Sequence, residues 1–148
     1  MYPSFRPLLA AAFVSLSALA ACQKTPVEPA GPISIVDRWE LTQTSGGIGG
    51  GTQPANPQRL VEVVFTSSGQ AQFLLNGVPT ATANYSLVTA PAQTTGHSET
   101  FIAYGSPAPT PHQFIAELTA TSLVLHDDNP DGQDLYYRRE QFTFCGTR

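Results

Sequence analysis

The sequence predicts an all-β domain, a small antiparallel eight-stranded barrel behind an N-terminal targeting segment. Three observations carry that prediction. Apolar residues beyond position 33 recur every second residue rather than every 3.6. Turn-forming pairs such as Ser68-Gly69 and Asn76-Gly77 punctuate the chain at short intervals. Twelve glycines and thirteen prolines among 148 residues favour loops and strands over long helices.

The elements follow in order. Ile35, Trp39 and Leu41 share one face of a first strand, with Asp37 on the same parity near its start. Residues 60–66 (LVEVVFT) place Val61, Val63 and Phe65 on one face. After the Ser68-Gly69 turn, residues 70–76 place Ala71, Phe73 and Leu75 inward, and this pair is the clearest hairpin. Further strands are expected at 81–88, 99–104, 113–118, 122–126 and 135–144. Gly105-Ser106-Pro107 and Asn129-Pro130-Asp131-Gly132 mark turns, and Pro107, Pro109 and Pro111 exclude helix from one connection. Eight short strands suit a closed barrel or a sandwich, and closure removes exposed edges.

Residues 1–21 read as a signal peptide, 22–33 as a lipidated cysteine with a tether, and 34–148 as the barrel domain. Arg6 supplies a short basic start, and an apolar run from Leu8 to Ala21 follows. That run is shorter than the about 20 apolar residues a membrane-spanning helix needs. It ends in Leu19-Ala20-Ala21-Cys22, which resembles the lipobox of bacterial lipoprotein signals. The resemblance implies that the Cys22 thiol takes a diacylglycerol, that the preceding peptide is removed, and that a further acyl chain such as palmitate is often added. Two or three chains anchor stably where one is marginal. The plainer alternative is an ordinary secretory signal with an incidental cysteine. Gln23 in place of Asp leaves out the usual inner-membrane retention signal, so the expected place is the cell envelope, at the outer membrane. Three prolines in QKTPVEPAGP make a stiff, extended tether.

The formal net charge is −4, so nothing basic is available to neutralise phosphates, and no nucleic acid is expected as a partner. The cysteines are Cys22 and Cys145. With Cys22 committed to lipid, Cys145 has no partner within the chain and a disulfide framework is excluded.

Five segments resemble the lipocalin-like lipoproteins common in the Bacteroidetes. Asp37-Arg38-Trp39-Glu40-Leu41 is similar to the first-strand G-x-W motif, with Asp37 where that family usually has Gly. Val64-Phe65-Thr66-Ser67-Ser68-Gly69 is similar to the following F-x-x-x-G hairpin, and Asn84-Tyr85-Ser86-Leu87 to a middle T-Y-S-L strand. Leu118-Thr119 through Leu125-His126-Asp127 and Tyr136-Tyr137-Arg138-Arg139 complete the order. The resemblance implies that Trp39 packs under an arginine of the last strand and closes one barrel end. Strand parity puts Leu135, Tyr137 and Arg139 on one face, which favours Arg139 over Arg138; cation–π stacking would supply roughly 0.5–2 kcal/mol. The alternative is that both arginines are solvated.

Other constellations are weaker. Gly96-His97-Ser98-Glu99 lacks the glycine that would complete a nucleophile elbow. Asp127-Asp128-Asn129-Pro130-Asp131-Gly132 opens like a calcium loop, but Arg138 stands where a bidentate Glu is needed, and a turn is the simpler reading. The glycines from Gly46 to Gly51 read either as a lid over an open barrel end or as a flexible connection. His97, His112 and His126 lack metal-ligand spacing, and Cys145 reads as a buried or strand-end residue. No catalytic residue, metal or cofactor is expected, and the chain is not expected to be an enzyme. Phe65, Phe73, Tyr85, Phe101, Phe114 and Tyr137 would either line a cavity or fill it. Two functions stay open: a structural or interaction role with an envelope protein as partner, and binding or transport of a small hydrophobic ligand in the barrel mouth.

Overall fold

The computed structural model describes residues 33–105 and 112–140. Among these there is no helix. Nine strands form one antiparallel sheet: β1 (Asp37–Gly46), β2 (Thr52–Pro54), β3 (Val61–Phe65), β4 (Gln70–Leu75), β5 (Val78–Pro91), β6 (Ser98–Tyr104), β7 (Gln113–Leu118), β8 (Ser122–Asp127) and β9 (Gln133–Arg139). From β3 to β9 each strand pairs with its neighbour in sequence, and β9 returns to β1 along nearly its whole length. The result is a closed up-and-down barrel of eight strands, β1 and β3 to β9, as the period-two pattern predicts. The ninth strand, β2, pairs with the second half of β1, whereas β3 pairs with the first half.

Local chemistry fixes the corners. At the β4–β5 turn Asn76 and Gly77 take φ of 53° and 76°, the left-handed pair that a two-residue hairpin requires. Asn76 also accepts the Leu60 N–H through Oδ1 at 2.8 Å. Bulges at Leu41/Gln43, Phe73/Leu74 and Ile115/Glu117 bend the strands around the barrel. At the first, Thr42 is the extra residue, and its Oγ1 donates to the Tyr136 carbonyl at 3.0 Å.

The glycine segment connects β1 to β2 through a defined set of hydrogen bonds. Gly46 N–H donates to Gly51 O, Gly50 N–H to Gly47 O, and Gly47 N–H to Gly132 O, all at 3.0 Å. It is a tight hairpin between β1 and β2, tied to the β8–β9 turn, rather than a lid. Expected boundaries shift elsewhere. β5 runs from 78 to 91 instead of 81–88, and β9 starts at Gln133. Residues 141–144 of the expected last strand lie outside the described residues, as do Pro107, Pro109 and Pro111.

The interior holds Trp39, Val63, Phe65, Ala71, Ile102, Leu123 and Leu125, all buried, with Ile35 beneath them. Burial of each large side chain contributes about 1.5–3 kcal/mol. A second, smaller cluster of Ala92, Phe101 and Phe114 lies on the opposite face of the sheet. The register explains the split: Phe101 faces Phe114 across β6 and β7, while the next residue, Ile102, points into the barrel.

Candidate functional site

Three regions gather the residues singled out in the sequence. The first is the end of the barrel where β9 meets β1. Trp39 and Arg139 are register partners, and the guanidinium carbon lies 4.8 Å above the indole centroid. Trp39 is fully buried, and its Nε1–H donates to the Ile35 carbonyl at 2.7 Å. Arg139 Nη2 donates to Ser34 O at 3.0 Å, and its Nε lies 3.4 Å from Asp37 Oδ2. The arginine is thus held from three directions over the ring. Arg138 points the other way and pairs with Glu40 at 2.8 Å.

On the outer face beside this end, Arg38 lies between two carboxylates. Its Nη2 is 2.7 Å from Glu62 Oε1 and its Nε is 2.6 Å from Glu140 Oε2. Glu62 is only 1 % exposed, and its Oε2 has no hydrogen-bond partner among the described residues. Sequence alternation alone marks Glu62 as a solvated outward residue, so its burial was not legible.

The second region is the barrel interior. Phe65 and Tyr85 meet edge-to-face at 5.0 Å, and Phe73 and Tyr104 lie 5.6 Å apart. Tyr85 donates its hydroxyl to Thr66 O at 3.1 Å, and burial pushes its phenol up. Tyr137 also faces inward, opposite Leu41 and Leu123. Burial, reinforced by the charge of Asp127, pushes its phenol far above the ordinary range. Phe65, Phe73, Tyr85 and Tyr137 therefore belong to the interior and pack against its buried core. Phe101 and Phe114 do not line it, which corrects the expectation. They form a ladder of rings on the outside, with His112 stacked on Phe101 at 4.3 Å and His126 tilted against Phe114 at 4.9 Å.

The third region was not foreseen. Where β1 leaves β3 and takes up β2, the sheet opens into a cleft of about 300 Å³. Leu41, Leu60 and Pro57 supply its apolar wall, with Thr42, Asn56 and Arg59 at polar positions. Asn56 and Pro57 between two strand-like runs are the only sequence signal for it. The cleft results from strand partners changing midway along β1, which is tertiary information.

The remaining motifs serve the fold. Asp128 Oδ2 accepts Gln93 N–H, and its Oδ1 accepts Thr94 N–H and Oγ1–H, each at 2.9 Å. The Gln93 bond above all, with those from Thr94 and the nearby His112, holds this carboxyl below the usual range against the opposing effect of burial. Asp127 accepts from Gln113 Nε2 at 2.7 Å, and His126 Nδ1 meets Asp134 Oδ1 at 2.7 Å. Asp127 and Asp128 of the acidic turn thus spend their carboxylates on the protein itself. Among the described residues no three His, Cys, Asp or Glu side chains converge on one point. Ser98 opens β6 opposite Pro91. Cys22 and Cys145 lie outside the described residues. No protein-family model, curated protein or solved structure matches this chain.

Proposed function

We propose that this chain is a lipoprotein of the cell envelope, anchored through acyl chains on Cys22, with a structural or interaction role. The observation that carries the anchor is the apolar run that ends in Leu19-Ala20-Ala21-Cys22, followed by a proline-rich tether. The absence of Asp at position 23 supports the outer membrane as its place. A diacylglycerol on the thiol, with palmitate or a similar chain on the new amino group, supplies the membrane affinity. The signal peptide, residues 1–21, leaves with processing.

The role of the barrel is argued from its interior. Trp39, Phe65, Ile102, Leu123 and Leu125 fill it, and Arg139 covers Trp39. A filled barrel supports a structural or docking role over carriage, and the up-and-down topology with an arginine over the first-strand tryptophan supports the lipocalin-like resemblance. Labelled palmitate fed to the host tests the anchor. The expected result is label in the native chain, none in a Cys22→Ser variant, and accumulation of precursor under globomycin. A native polypeptide that starts at Met1 and carries no fatty acid overturns the proposal.

A second reading, binding or transport of a small hydrophobic ligand at the barrel mouth, draws on one observation. Leu87 shares the inward face with Tyr85 yet remains 48 % exposed. Native mass spectrometry of the protein from its own host separates the two readings. A retained apolar ligand favours carriage, and a bare mass favours the structural role.

A further inference from the structure

We propose that the cleft beside β1 binds a small apolar carboxylate, with Arg59 as the group that pairs with its charge. The inference goes beyond the envelope role. It depends neither on lipid at Cys22 nor on the filling of the barrel, because the cleft lies where the sheet opens between β2 and β3.

Hydrogen bonds fix the walls of the cleft on both sides. On one side Ala55 N–H donates to Thr42 O at 2.9 Å and ties the chain after β2 to β1. On the other, Leu60 N–H donates to Asn76 Oδ1 at 2.8 Å, and Asn76 N–H donates to Leu60 O at 2.7 Å. Between them residues 56–59 close a turn. Arg59 N–H donates to Asn56 O, and Gln58 N–H to Asn56 Oδ1, each at 2.9 Å. A site braced in this way is formed before a ligand arrives, which removes an ordering cost from binding.

Charge selects the ligand. Of the four arginines among the described residues, Arg38, Arg138 and Arg139 each pair with a carboxylate. Arg59 lines the cleft and is exposed, and its side chain makes no ion pair or hydrogen bond among the described residues. The carboxylates nearby are already engaged. Glu40, on the cleft wall, accepts from Arg138 at 2.8 Å, while Glu62 and Glu140 share Arg38. The unmatched charge at the cleft is therefore positive. The chain as a whole carries −4, but charges more than about 8 Å away are largely screened at physiological salt, so the local group decides.

The rest of the lining sets the body of the ligand. Leu41, Ala55, Pro57 and Leu60 supply an apolar wall, and Asn56 Nδ2 is a second donor, since Gln58 takes its Oδ1. At about 300 Å³ the cleft is at the small end for ligand sites, which span roughly 300–1,000 Å³. An unpaired cation beside an apolar wall of that size suits a compact acid. The guanidinium takes the carboxylate through charge-assisted N–H donors, and the hydrocarbon body covers the leucines. A neutral molecule of the same shape gains only the second contribution.

The test uses the full chain in lipid nanodiscs and two probes of one shape, phenylacetate and its neutral counterpart phenylacetamide, titrated by calorimetry. Phenylacetate binds saturably at millimolar concentration or below, and phenylacetamide binds several-fold more weakly. Arg59→Gln weakens phenylacetate about fivefold or more and leaves phenylacetamide unchanged, as the loss of one exposed charge-assisted contact predicts. Ala55→Trp keeps the arginine, fills the cleft and abolishes binding of both probes. Absence of saturable phenylacetate binding to the native chain overturns the proposal. So do equal affinities of the native chain for the two probes, an Arg59→Gln variant that binds phenylacetate as tightly as the native chain, or binding that survives Ala55→Trp.

Discussion

Replacing Arg139 by Met tests whether the arginine over Trp39 holds the barrel closed. The substitution keeps the aliphatic stem and removes the guanidinium, whose side chain is only 15 % exposed. Three interactions go with it. The contact 4.8 Å above the indole is worth about 1 kcal/mol in this half-desolvated setting. The bond from a charged donor to Ser34 O adds about 1.5 kcal/mol. The longer approach to Asp37 adds less than about 0.5 kcal/mol, because that carboxylate is partly solvated. The expected loss is about 2–3 kcal/mol, or roughly 10 °C in melting temperature for a barrel of this size. Arg138→Met is the control. Its side chain is 65 % exposed and its pair with Glu40 is a surface pair, so its loss stays below about 1 kcal/mol. Urea unfolding followed by the emission of Trp39, the single tryptophan, reads both variants at the site itself. Equal losses, or a larger loss for Arg138→Met, would refute the assignment of Arg139 as the closing residue.

Two further outcomes follow from the charged groups. Arg38→Met leaves the buried Glu62 and its neighbour Glu140 without their cation and should cost about 3 kcal/mol. The double variant Arg38→Met/Glu62→Leu should recover at least half of that in a denaturant titration, whereas simply additive losses would show that the two residues do not act as a pair. Asp128→Ala should free the Gln93 and Thr94 amides, seen as faster hydrogen exchange at the β5–β6 turn. Because the folded state holds the Asp128 carboxyl below its ordinary value, its contribution is complete above that value and fades as pH falls through the lowered one. The gap in melting temperature between native protein and Asp128→Ala should therefore be widest at neutral pH and shrink in strong acid. A gap that stays constant or widens there would rule this reading out.

Much of the barrel was legible because period-two alternation acts over five or more residues, enough to separate it from chance. The hairpin of β3 and β4, the inward set Val61, Val63 and Phe65, and the parity of Leu135, Tyr137 and Arg139 all come from that rule. β2 has three exposed residues and hence no pattern to read. The glycines before it were ambiguous, since the freedom that permits a flexible loop also permits a tight hairpin. Phe101 and Phe114 were misplaced for a different reason. Phe101 and Ile102 are adjacent, both large and apolar, and both buried. Alternation assigns a face only when one face is wet. Here Ala92 folds over the outer side, so both faces are dry and the parity signal vanishes. The cleft beside Leu41 and Thr42 has no signature beyond the Asn56-Pro57 turn, since it depends on which strands β1 meets.

Where the apolar surface is left bare bears directly on what the barrel does. A carrier keeps bare apolar side chains inside and covers those outside. In this chain the large interior residues Trp39 and Phe65 are buried against their neighbours, and of the inward-facing apolar residues Leu87 alone is exposed, while Ile33, Val36, Ile48, Val78 and Val88 are exposed as well. Ile33 and Val36 precede β1, Ile48 sits between β1 and β2, Val78 opens β5, and Leu87 and Val88 lie on the half of β5 that pairs with β6 but not with β4. The free energy still to be gained by burying apolar surface therefore lies on the segment before β1, on hairpins and on the end of β5, about 25 cal/mol for each Å² covered. At the end of β5 only contact with another polypeptide covers side chains and backbone together, since a small apolar molecule cannot take up the backbone groups that β4 leaves unpaired there. Surface of this kind favours protein contact over carriage as the barrel's use. A Val88→Lys variant whose contacts with envelope proteins were unchanged would count against that argument, because it places a charge on the exposed outer face of β5, opposite the face of the barrel core.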